Sequence, residues 1–506
     1  MIDTPQKVRV RFAPSPTGPL HIGGIRTALY NYLFAKKWGG EFLLRIEDTD
    51  QNRFVPSSEK YIKESLTWLG LIPDEGPEKG GNYGPYRQSE RKTIYVCYIK
   101  KLLESGQVYY AFDTPEELNS MRERQKKLGV AAPAYNAITR MQMSNSLTLP
   151  PQQTAEKLKA GEPYVVRMKI NPKEKVKFKD VVRGWIEVQG NTLDDKVLFK
   201  SDGMPTYHLA NIVDDHLMKI THVIRGEEWL PSTPIHVLLY QAFGWNPPMF
   251  AHLPLLLRSD GQGKLSKRFA EKNDTIIFPL NWKDPITSLV APGFREAGYL
   301  PQAVINFLSL LGWHADNNKE VYQRDELIKA FSLERLKKAG VRLDIIKARW
   351  FNQEHLKSIP SNILAQRYLL PVLQEKNIEA SLAYSAQVCD LLKERVTFPE
   401  SFWEEGSYFF QEPSLLHNTL WKSKTDLNAL TFLQSLAKQL TSIANWSSEV
   451  IQSLLKNQLK RSEITPKQVM PLLRLVLTGR NKGPHLADIM YVLGLRTTLK
   501  RLQLVL

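Results

Sequence analysis

Residues 14–24 read Pro-Ser-Pro-Thr-Gly-Pro-Leu-His-Ile-Gly-Gly, and they join a short alternating strand at 8–12 to an amphipathic helix. The apolar residues of that helix recur at 3.6-residue spacing, and they are Ile25, Ala28, Leu29, Tyr32 and Leu33. A glycine-containing turn between a strand and a helix N-terminus is where parallel α/β proteins hold phosphate groups. This segment therefore predicts an α/β domain with a phosphate site at its first strand–helix junction.

The turn does not match the common nucleotide-binding motifs. It is neither G-x-G-x-x-G nor G-x-x-x-x-G-K-[ST], so a dinucleotide fold and a P-loop are both disfavoured. It offers instead the imidazole of His21 beside Gly23 and Gly24, where a phosphate chain could pack on the backbone and accept a hydrogen bond from the ring. The alternative is a core helix whose preceding histidine is merely hydrogen-bonded.

A second segment strengthens the phosphate interpretation. Residues 258–268 read Arg-Ser-Asp-Gly-Gln-Gly-Lys-Leu-Ser-Lys-Arg, which places Lys264 and Lys267 on a glycine-containing loop. A basic loop alone is usually just solvated. Taken with the first segment, this loop indicates the second half of an ATP site, with lysines that can swing onto a triphosphate.

The two segments resemble the HIGH and KMSKS motifs of class I aminoacyl-tRNA synthetases, here His21-Ile-Gly-Gly24 and Lys264-Leu-Ser-Lys-Arg268. Five further stretches resemble the bacterial-type glutamyl-tRNA synthetases, and they are Arg11–Gly18, Arg45–Asp50, Gly84–Arg91, Lys200–Asn211 and Val223–Trp229. Leu475–Arg480 near the end also fits that family. The resemblance covers nearly the whole chain in consistent order, with Gly24 and Arg268 replacing the last residues of the two motifs.

The resemblance implies a glutamate–tRNA ligase. Such an enzyme activates L-glutamate with ATP, accompanied by Mg²⁺, and transfers it to the terminal adenosine of tRNA-Glu. No protein nucleophile is needed, because catalysis rests on positioning and on stabilising charge on the phosphoryl oxygens. The alternatives are a glutaminyl-type or non-discriminating synthetase, a smaller nucleotidylyltransferase or truncated paralogue, and a non-catalytic tRNA-binding paralogue. The last should have lost His21 or the lysine pair, and this chain retains both.

The resemblance also assigns site residues on the ATP side. Those implied in catalysis are His21, Gly23, Gly24, Lys264, Ser266 and Lys267. Additional ATP contacts are implied for Glu228, Trp229 and Leu256, although the tryptophan could equally be a core residue.

On the glutamate side, the implied residues are Arg11, Ala13, Ser15, Glu47, Tyr207, Asn211 and Arg225. Glu47 is placed to meet the substrate ammonium group. Arg11 and Arg225 are the cations that could pair with the side-chain carboxylate. Arg11 could instead be an ordinary strand-end residue, and Arg225 could belong to a structural ion pair.

The pattern along the chain predicts a Rossmann-like catalytic domain with an α+β insertion, followed by an all-α region. The expected segments are catalytic residues 1–92, an insertion at 93–199 that binds the acceptor end, catalytic residues 200–256, a connecting domain at 257–335, and two helical anticodon-binding subdomains at 336–395 and 396–506. Ser57 or Ser58 is expected to cap the second helix, and a strand is expected through Tyr207.

Composition fits a nucleic-acid partner without proving one. The 506 residues carry a formal charge of +16, and the excess concentrates between Lys456 and Arg501. No run of about 18 apolar residues predicts a membrane span, and the N-terminus enters a strand too early for a signal peptide. Because Cys97 and Cys389 are the only cysteines, a disulfide framework is not expected and the cytoplasm is favoured. A monomer is expected.

Two features invite a metal interpretation that we reject. Asp214, Asp215 and His216 are consecutive, and in a strand adjacent side chains point to opposite faces, so they should not converge on one ion. Some members of the resembled family carry a Cys-rich zinc site in the insertion, but this chain has no Cys-x-x-Cys, so no zinc is expected. Residues 273–293 resemble an added segment without an assigned role.

Overall fold

The computed structural model describes residues 7–258, 260–261, 263–265, 275–413, 427–462 and 464–504. Ser266, Lys267 and Arg268 of the lysine loop lie outside these residues, as do Asn273 and Asp274 of the added segment. The chain divides into two compact units, one formed by Met1–Ala297 and Val304–Ile345 and the other by Gly298–Ala303 and Ile346–Leu506. Within the described residues, no helix is long and apolar enough to cross a membrane.

The first unit begins as the sequence predicts. Strand β1 spans Arg9–Phe12, helix α1 spans Ile22–Lys37, and strand β2 spans Glu41–Leu44. The two strands pair in parallel. The turn between helix and strand requires Gly40, because a methyl group there would lie 2.3 Å from the Val8 carbonyl oxygen.

Helix α2 begins at Pro56 and ends at Trp68, and its N-cap residue is Val55. The expected serine cap is therefore wrong, because the proline occupies the first helical position, where its missing N–H costs nothing. The remaining elements of this half, in chain order, are α3 Lys92–Glu104, β3 Val108–Ala111, α4 Pro115–Lys127, α5 Pro151–Lys159, β4 Val165–Met168, β5 Lys175–Asp180, β6 Gly184–Gln189 and β7 Val197–Phe199.

The chain then returns to α/β structure. Helix α6 spans Tyr207–Leu217, followed by β8 His222–Gly226, α7 Thr233–Ala242, β9 Met249–Leu253 and β10 Leu256–Leu257. The strand predicted through Tyr207 is wrong, because that residue is the first of α6. Two short strands, β11 Trp282–Lys283 and β12 Val290–Ala291, form an antiparallel pair in the added segment. Strand β13, Val341–Arg342, pairs with β10.

The sheets show how the inserted segment is built. One sheet has the order β3-β4-β7 and lies wholly inside the predicted insertion. A second has the order β6-β5-β9-β8, so the hairpin β5–β6 joins the strands of the catalytic region. Strand β8 approaches β1 directly, since the Thr221 amide donates to the Arg9 carbonyl at 2.9 Å.

The second unit is helical, as the periodicity predicts. The helix Pro301–Ser309 belongs mostly to the first unit, as does Arg324–Ala330. The described helices of the second unit are Ile345–Lys357, Ser361–Leu364, Leu370–Glu375, Leu382–Leu392, Ser401–Gly406, Leu427–Leu440, Ser448–Arg461, Pro466–Thr478 and Leu486–Gln503. The helix Pro466–Thr478 has clear local signals, since Thr465 and Gln468 form a capping box and Gly479 ends it in the left-handed conformation.

Candidate active site

A cavity of about 350 Å³ opens where β1 and β8 end and α1 begins. In α/β proteins, ligands bind at the carboxyl ends of parallel strands, which is where this cavity lies. Every described residue that the sequence analysis proposed for the site lines it: Arg11, Ala13, Ser15, His21, Gly23, Gly24, Glu47, Tyr207, Asn211, Arg225, Glu228, Trp229, Leu256 and Lys264. The structure therefore brings together residues that are up to 253 positions apart in sequence (264 − 11).

His21 is held in one orientation by the helix that it caps. It is the N-cap residue of α1, and its Nδ1 accepts a hydrogen bond from the Gly23 amide at 2.9 Å. Because Nδ1 is the acceptor, the proton of the neutral ring is on Nε2. The ring packs tightly on the backbone, since a methyl group at Gly23 would lie 2.6 Å from His21 Cε1. The glycine thus permits a histidine that can donate from Nε2.

We predict that His21→Asn and Gly23→Ala slow adenylate formation without unfolding the protein. Asparagine keeps the helix cap but loses the Nε2 donor. Alanine favours the helix but displaces the ring. Each change should reduce the rate about 10²-fold, as removal of one positioned donor does. Single-turnover ATP consumption measures the rate, and thermal melting measures stability. Two variants that melt normally and react at the wild-type rate would remove the ring from the mechanism.

Lys264 lines the same cavity. Residues 264 and 265 pair with β10, because Lys264 forms an antiparallel bridge with Leu257 and the Leu265 amide donates to the Leu256 carbonyl at 2.8 Å. The ammonium group of Lys264 lies 3.4 Å from Glu228 Oε1, and its side chain is 51% exposed. Such an exposed pair contributes little to stability. The lysine is therefore able to exchange this carboxylate for a more strongly charged ligand.

Glu47 forms the acidic wall of the cavity. Its Oε1 accepts hydrogen bonds from Arg45 Nη2 at 2.9 Å and Asn211 Nδ2 at 3.1 Å. No described side chain donates to Oε2. Burial raises the pKa of the Glu47 carboxyl, and the charges of Arg45 and Arg11 oppose that rise. The arrangement leaves one carboxylate oxygen for a cationic ligand.

Behind Glu47 lies a buried network of charges. Asp215 accepts hydrogen bonds from Arg11 Nε at 3.0 Å, Arg11 Nη2 at 3.2 Å and Arg45 Nη1 at 2.7 Å. Burial would raise the pKa of Asp215, but the two arginines outweigh it and lower that pKa. Arg11 is therefore already neutralised, and the described residues provide no acceptor for its remaining nitrogen, Nη1.

The neighbours of Asp215 are also structural. Asp214 Oδ1 accepts from Arg91 Nε at 2.7 Å, and the ring of His216 stacks on Trp245 with centroids 3.7 Å apart. The strand that the sequence analysis assumes for these three residues is wrong. They lie on helix α6, where successive side chains point in different directions around the axis.

We predict that Arg45→Met destabilises the protein by about 3–5 kcal/mol, because it leaves buried carboxylates without their cation. The Arg45 side chain is 0% exposed between Glu47 and Asp215. Arg53→Met is the matched control: that side chain is 73% exposed in its ion pair with Asp50, and its loss should change stability by under about 1 kcal/mol. Urea unfolding of both variants provides the comparison. Equal effects would contradict the buried network.

Arg225 differs from Arg11 in the nature of its partners. It is 5% exposed on β8. Its guanidinium donates to Tyr207 Oη at 2.9 Å, to Thr233 Oγ1 at 2.9 Å and to His252 Nε2 at 3.0 Å. It also lies 3.3 Å from His236 Nδ1 and 3.4 Å from the Trp229 carbonyl oxygen. These five partners are neutral, and among the described residues no carboxylate forms an ion pair with it. A buried cation that lines a cavity without a counter-ion favours an anionic ligand there.

The aromatic wall completes the site. Tyr207 and Trp229 pack against each other with ring centroids 4.4 Å apart and an angle of 37° between the ring planes. Trp229 is 40% exposed, so it is a cavity wall rather than a core residue. The sequence analysis missed the residues that hold this wall and Arg225 from behind, namely Thr233, His236 and His252. These residues follow Arg225 by 8, 11 and 27 positions, and no local motif in the sequence marks their contact with it.

Comparison with known proteins gives a consistent result. Residues 7–350 match the family model "tRNA synthetases class I (E and Q), catalytic domain", and residues 362–506 match "Anticodon binding domain". The glutamate–tRNA ligase of Amoebophilus asiaticus is 52% identical over 498 residues, covering 98% of this chain and 97% of the relative. That of Cytophaga hutchinsonii is 50% identical, covering 100% and 98%.

Solved structures agree. A glutamate–tRNA ligase from Elizabethkingia meningosepticum, in complex with its amino acid, has a TM-score of 0.92 at 46% identity and covers 98% of this chain and 99% of that one. The enzyme from Elizabethkingia anophelis has a TM-score of 0.89 at 47% identity with the same coverage. The predicted fold class, a class I catalytic domain followed by a helical anticodon-binding region, is confirmed.

Proposed function

This chain belongs to the glutamate–tRNA ligases, a class I aminoacyl-tRNA synthetase family, and we propose that its cavity holds ATP and glutamate side by side while the adenylate forms. A carboxylate oxygen of glutamate attacks the α-phosphorus, and pyrophosphate leaves. The ribose hydroxyl of the terminal tRNA adenosine then attacks the activated carbonyl, and AMP leaves. Both steps need positioning and charge stabilisation rather than a protein nucleophile.

We assign the nucleotide to the half of the cavity between His21 and Lys264. Nε2 of His21 donates to a phosphate oxygen, and Gly23 and Gly24 let adenosine approach the backbone of α1. Lys264 neutralises the outer phosphates as charge builds on the leaving pyrophosphate. Lys267 and Ser266 are assigned the same task from the sequence motif. Mg²⁺ arrives with ATP and is held mainly by the phosphates.

We assign glutamate to the half between Glu47 and Arg225. Oε2 of Glu47 receives the ammonium group, and Arg225 receives the side-chain carboxylate. The observation that carries this assignment is the burial of the Arg225 guanidinium among neutral acceptors. Tyr207 and Asn211 line the space between the two charges. Arg11 contributes Nη1, since Asp215 occupies its other nitrogens.

The remaining segments are assigned to tRNA. We propose that residues 93–199 bind the acceptor end and that the helical subdomains 336–395 and 396–506 bind the anticodon arm. The formal charge of +16 supports a polyanionic partner. We further propose that the enzyme works as a monomer in the cytoplasm, where ATP and tRNA are available.

The test is charging of tRNA-Glu and tRNA-Gln, both transcribed from the genome that encodes this chain, with labelled glutamate and labelled glutamine. Glutamate on tRNA-Glu is the expected product. Glutamate on both tRNAs would make the enzyme non-discriminating, and glutamine as the preferred substrate would overturn the assignment of Arg225. Failure to charge either tRNA with either amino acid would overturn the proposed reaction. Pyrophosphate exchange measured with and without tRNA shows whether activation requires it.

A further inference from the structure

The rear of the Arg225 guanidinium, away from the cavity, is held by a histidine. Nε of Arg225 donates to His252 Nε2 at 3.0 Å, and both residues are buried. His252 follows on β9, the strand that pairs in parallel with β8, and its register partner is Arg225 itself. The contact therefore runs directly across two neighbouring strands of the sheet.

The histidine is held in turn by a carboxylate from the inserted segment. Asp180, the last residue of β5, is 0% exposed. Its Oδ2 accepts from His252 Nδ1 at 2.7 Å and from the His252 amide at 3.1 Å. Its Oδ1 accepts from the amides of Val182 and Arg183 at 2.9 and 2.8 Å. Two backbone amides thus fix Oδ1, which leaves Oδ2 aimed at the imidazole.

These contacts define the proton positions. Burial lowers the pKa of His252, which keeps the ring neutral. Its Nδ1 carries the proton because it faces a carboxylate, and its Nε2 carries the lone pair because it faces the Arg225 N–H. Burial would raise the pKa of Asp180, but the hydrogen bond from His252, with those from the two amides, lowers it instead. Each donor in the sequence from carboxylate through neutral imidazole to guanidinium therefore faces an acceptor.

We propose that Asp180 and His252 are positioning residues that aim Arg225 at the side-chain carboxylate of the amino acid. The inference rests on the proposed role of Arg225 and extends it to a strand of the inserted segment, which thereby takes part in amino-acid selection. The three side chains form a continuous chain of hydrogen bonds from the inserted segment to the cavity.

The comparison with Arg11 explains why an imidazole is suited to this task. Asp215 contacts Arg11 directly, so the carboxylate orients that guanidinium and also neutralises it. A carboxylate in direct contact with Arg225 would compete with the substrate in the same way. The neutral ring of His252 orients Arg225 through a single acceptor and leaves its positive charge for the ligand. The carboxylate of Asp180 does not contact Arg225 but fixes the tautomer of His252.

Asp180→Asn tests the tautomer. The asparagine oxygen stays on the amides of Val182 and Arg183, so its NH₂ group faces both His252 Nδ1 and the His252 amide. The ring proton is forced onto Nε2, opposite the Arg225 N–H, and the His252 amide loses its acceptor. We expect the KM for glutamate to rise by up to about 10²-fold through misplacement of Arg225, the preference for glutamate over glutamine to narrow, and the KM for ATP to stay within about twofold. Asp195→Asn is the matched control: it is also 0% exposed in the insertion and binds Tyr109 and Arg140, but it does not reach Arg225.

Two further variants separate positioning from folding. His252→Gln retains an acceptor for Arg225 Nε and should keep most of the selectivity, whereas His252→Leu should lose it. In an Arg225→Cys background, Asp180→Asn should add no further loss of selectivity, because the residue it positions is gone. Melting temperatures of all variants report stability separately.

The outcomes distinguish the two levels of the proposal. If Arg225→Cys changes the glutamate-to-glutamine ratio but Asp180→Asn and His252→Leu do not, or if they impair ATP and glutamate use equally, the positioning role is wrong and Arg225 keeps its own role. If Arg225→Cys itself leaves the ratio unchanged, the assignment of Arg225 is wrong, and the positioning role falls with it. Equal loss of selectivity in Asp195→Asn would also overturn it.

Discussion

Lys264→Ala slows formation of glutamyl-adenylate by about 10²- to 10³-fold, the cost of removing one preorganised group that stabilises transition-state charge. The lysine lies on the cavity rim with its ammonium group 3.4 Å from Glu228, and it is exposed enough to move onto a triphosphate. The change should leave the KM for glutamate nearly unchanged, because the amino acid occupies the other half of the cavity. Lys267→Ala is expected to behave alike on the evidence of the sequence motif.

The measurement is a quench-flow rate of adenylate formation in the presence of saturating tRNA. Lys60→Ala is a suitable control, because that lysine also forms an exposed ion pair, with Glu64, but lies outside the cavity. Both variants should melt as the wild type does, since exposed pairs contribute little to stability. A normal rate in Lys264→Ala would take the lysine loop out of the chemical step.

Arg225→Cys lowers kcat/KM for glutamate by about 10- to 150-fold. This factor corresponds to the roughly 1.5–3 kcal/mol that a hydrogen bond to a charged group contributes. Wild-type Arg225 attracts glutamate and also rejects glutamine, whose neutral amide leaves the buried guanidinium without a counter-charge. The cysteine variant loses both effects, so the glutamate-to-glutamine ratio should fall. Full reversal is not expected, because Arg11 Nη1 remains in the cavity.

The decisive quantity is kcat/KM for both amino acids on the same tRNA. Arg91→Cys serves as the comparison, since it removes a similarly buried arginine that binds Asp214 instead of facing the cavity. That variant should lose stability and keep its ratio. A ratio that stays constant in Arg225→Cys would transfer the selecting role to Arg11, despite its neutralisation by Asp215.

The residues that line the cavity could be predicted from the sequence, but the buried residues that hold them in place could not. His21, Gly23 and Lys264 belong to short motifs in which the chemistry depends on neighbours two or three positions away. Such motifs can be recognised from the local sequence alone. The pairing of Arg11 with Asp215 joins residues 204 positions apart, and nothing local announces it. The error at Tyr207 has the same cause: aromatic and β-branched residues there favour a strand, but burial of Asp214 and Asp215 against arginines from elsewhere is realised on a helix.

Secondary structure in the helical region was predictable because its signals are periodic and its ends are marked locally. The helix Pro466–Thr478 carries its own proline, capping box and terminal glycine. The mixed sheet was not predictable, because the parallel pairing of β5 with β9 depends on a crossover connection of about 70 residues (Asp180 to Phe250). The sequence analysis therefore places Asp180 in a separate insertion, whereas the structure places it in the sheet shared with β8 and β9.

The membership of hairpin β5–β6 in the sheet with β8 and β9 restricts how such enzymes can be recombined. A chimera that exchanges residues 93–199 as one block would replace strands β5 and β6 of this sheet with those of the donor, together with the residue at position 180. The transferable parts are instead two separate pieces, one before β5 and one after β6, grafted around a retained hairpin. Recombination points within this lineage should accordingly cluster on either side of residues 175–189 rather than at the outer borders of the insertion.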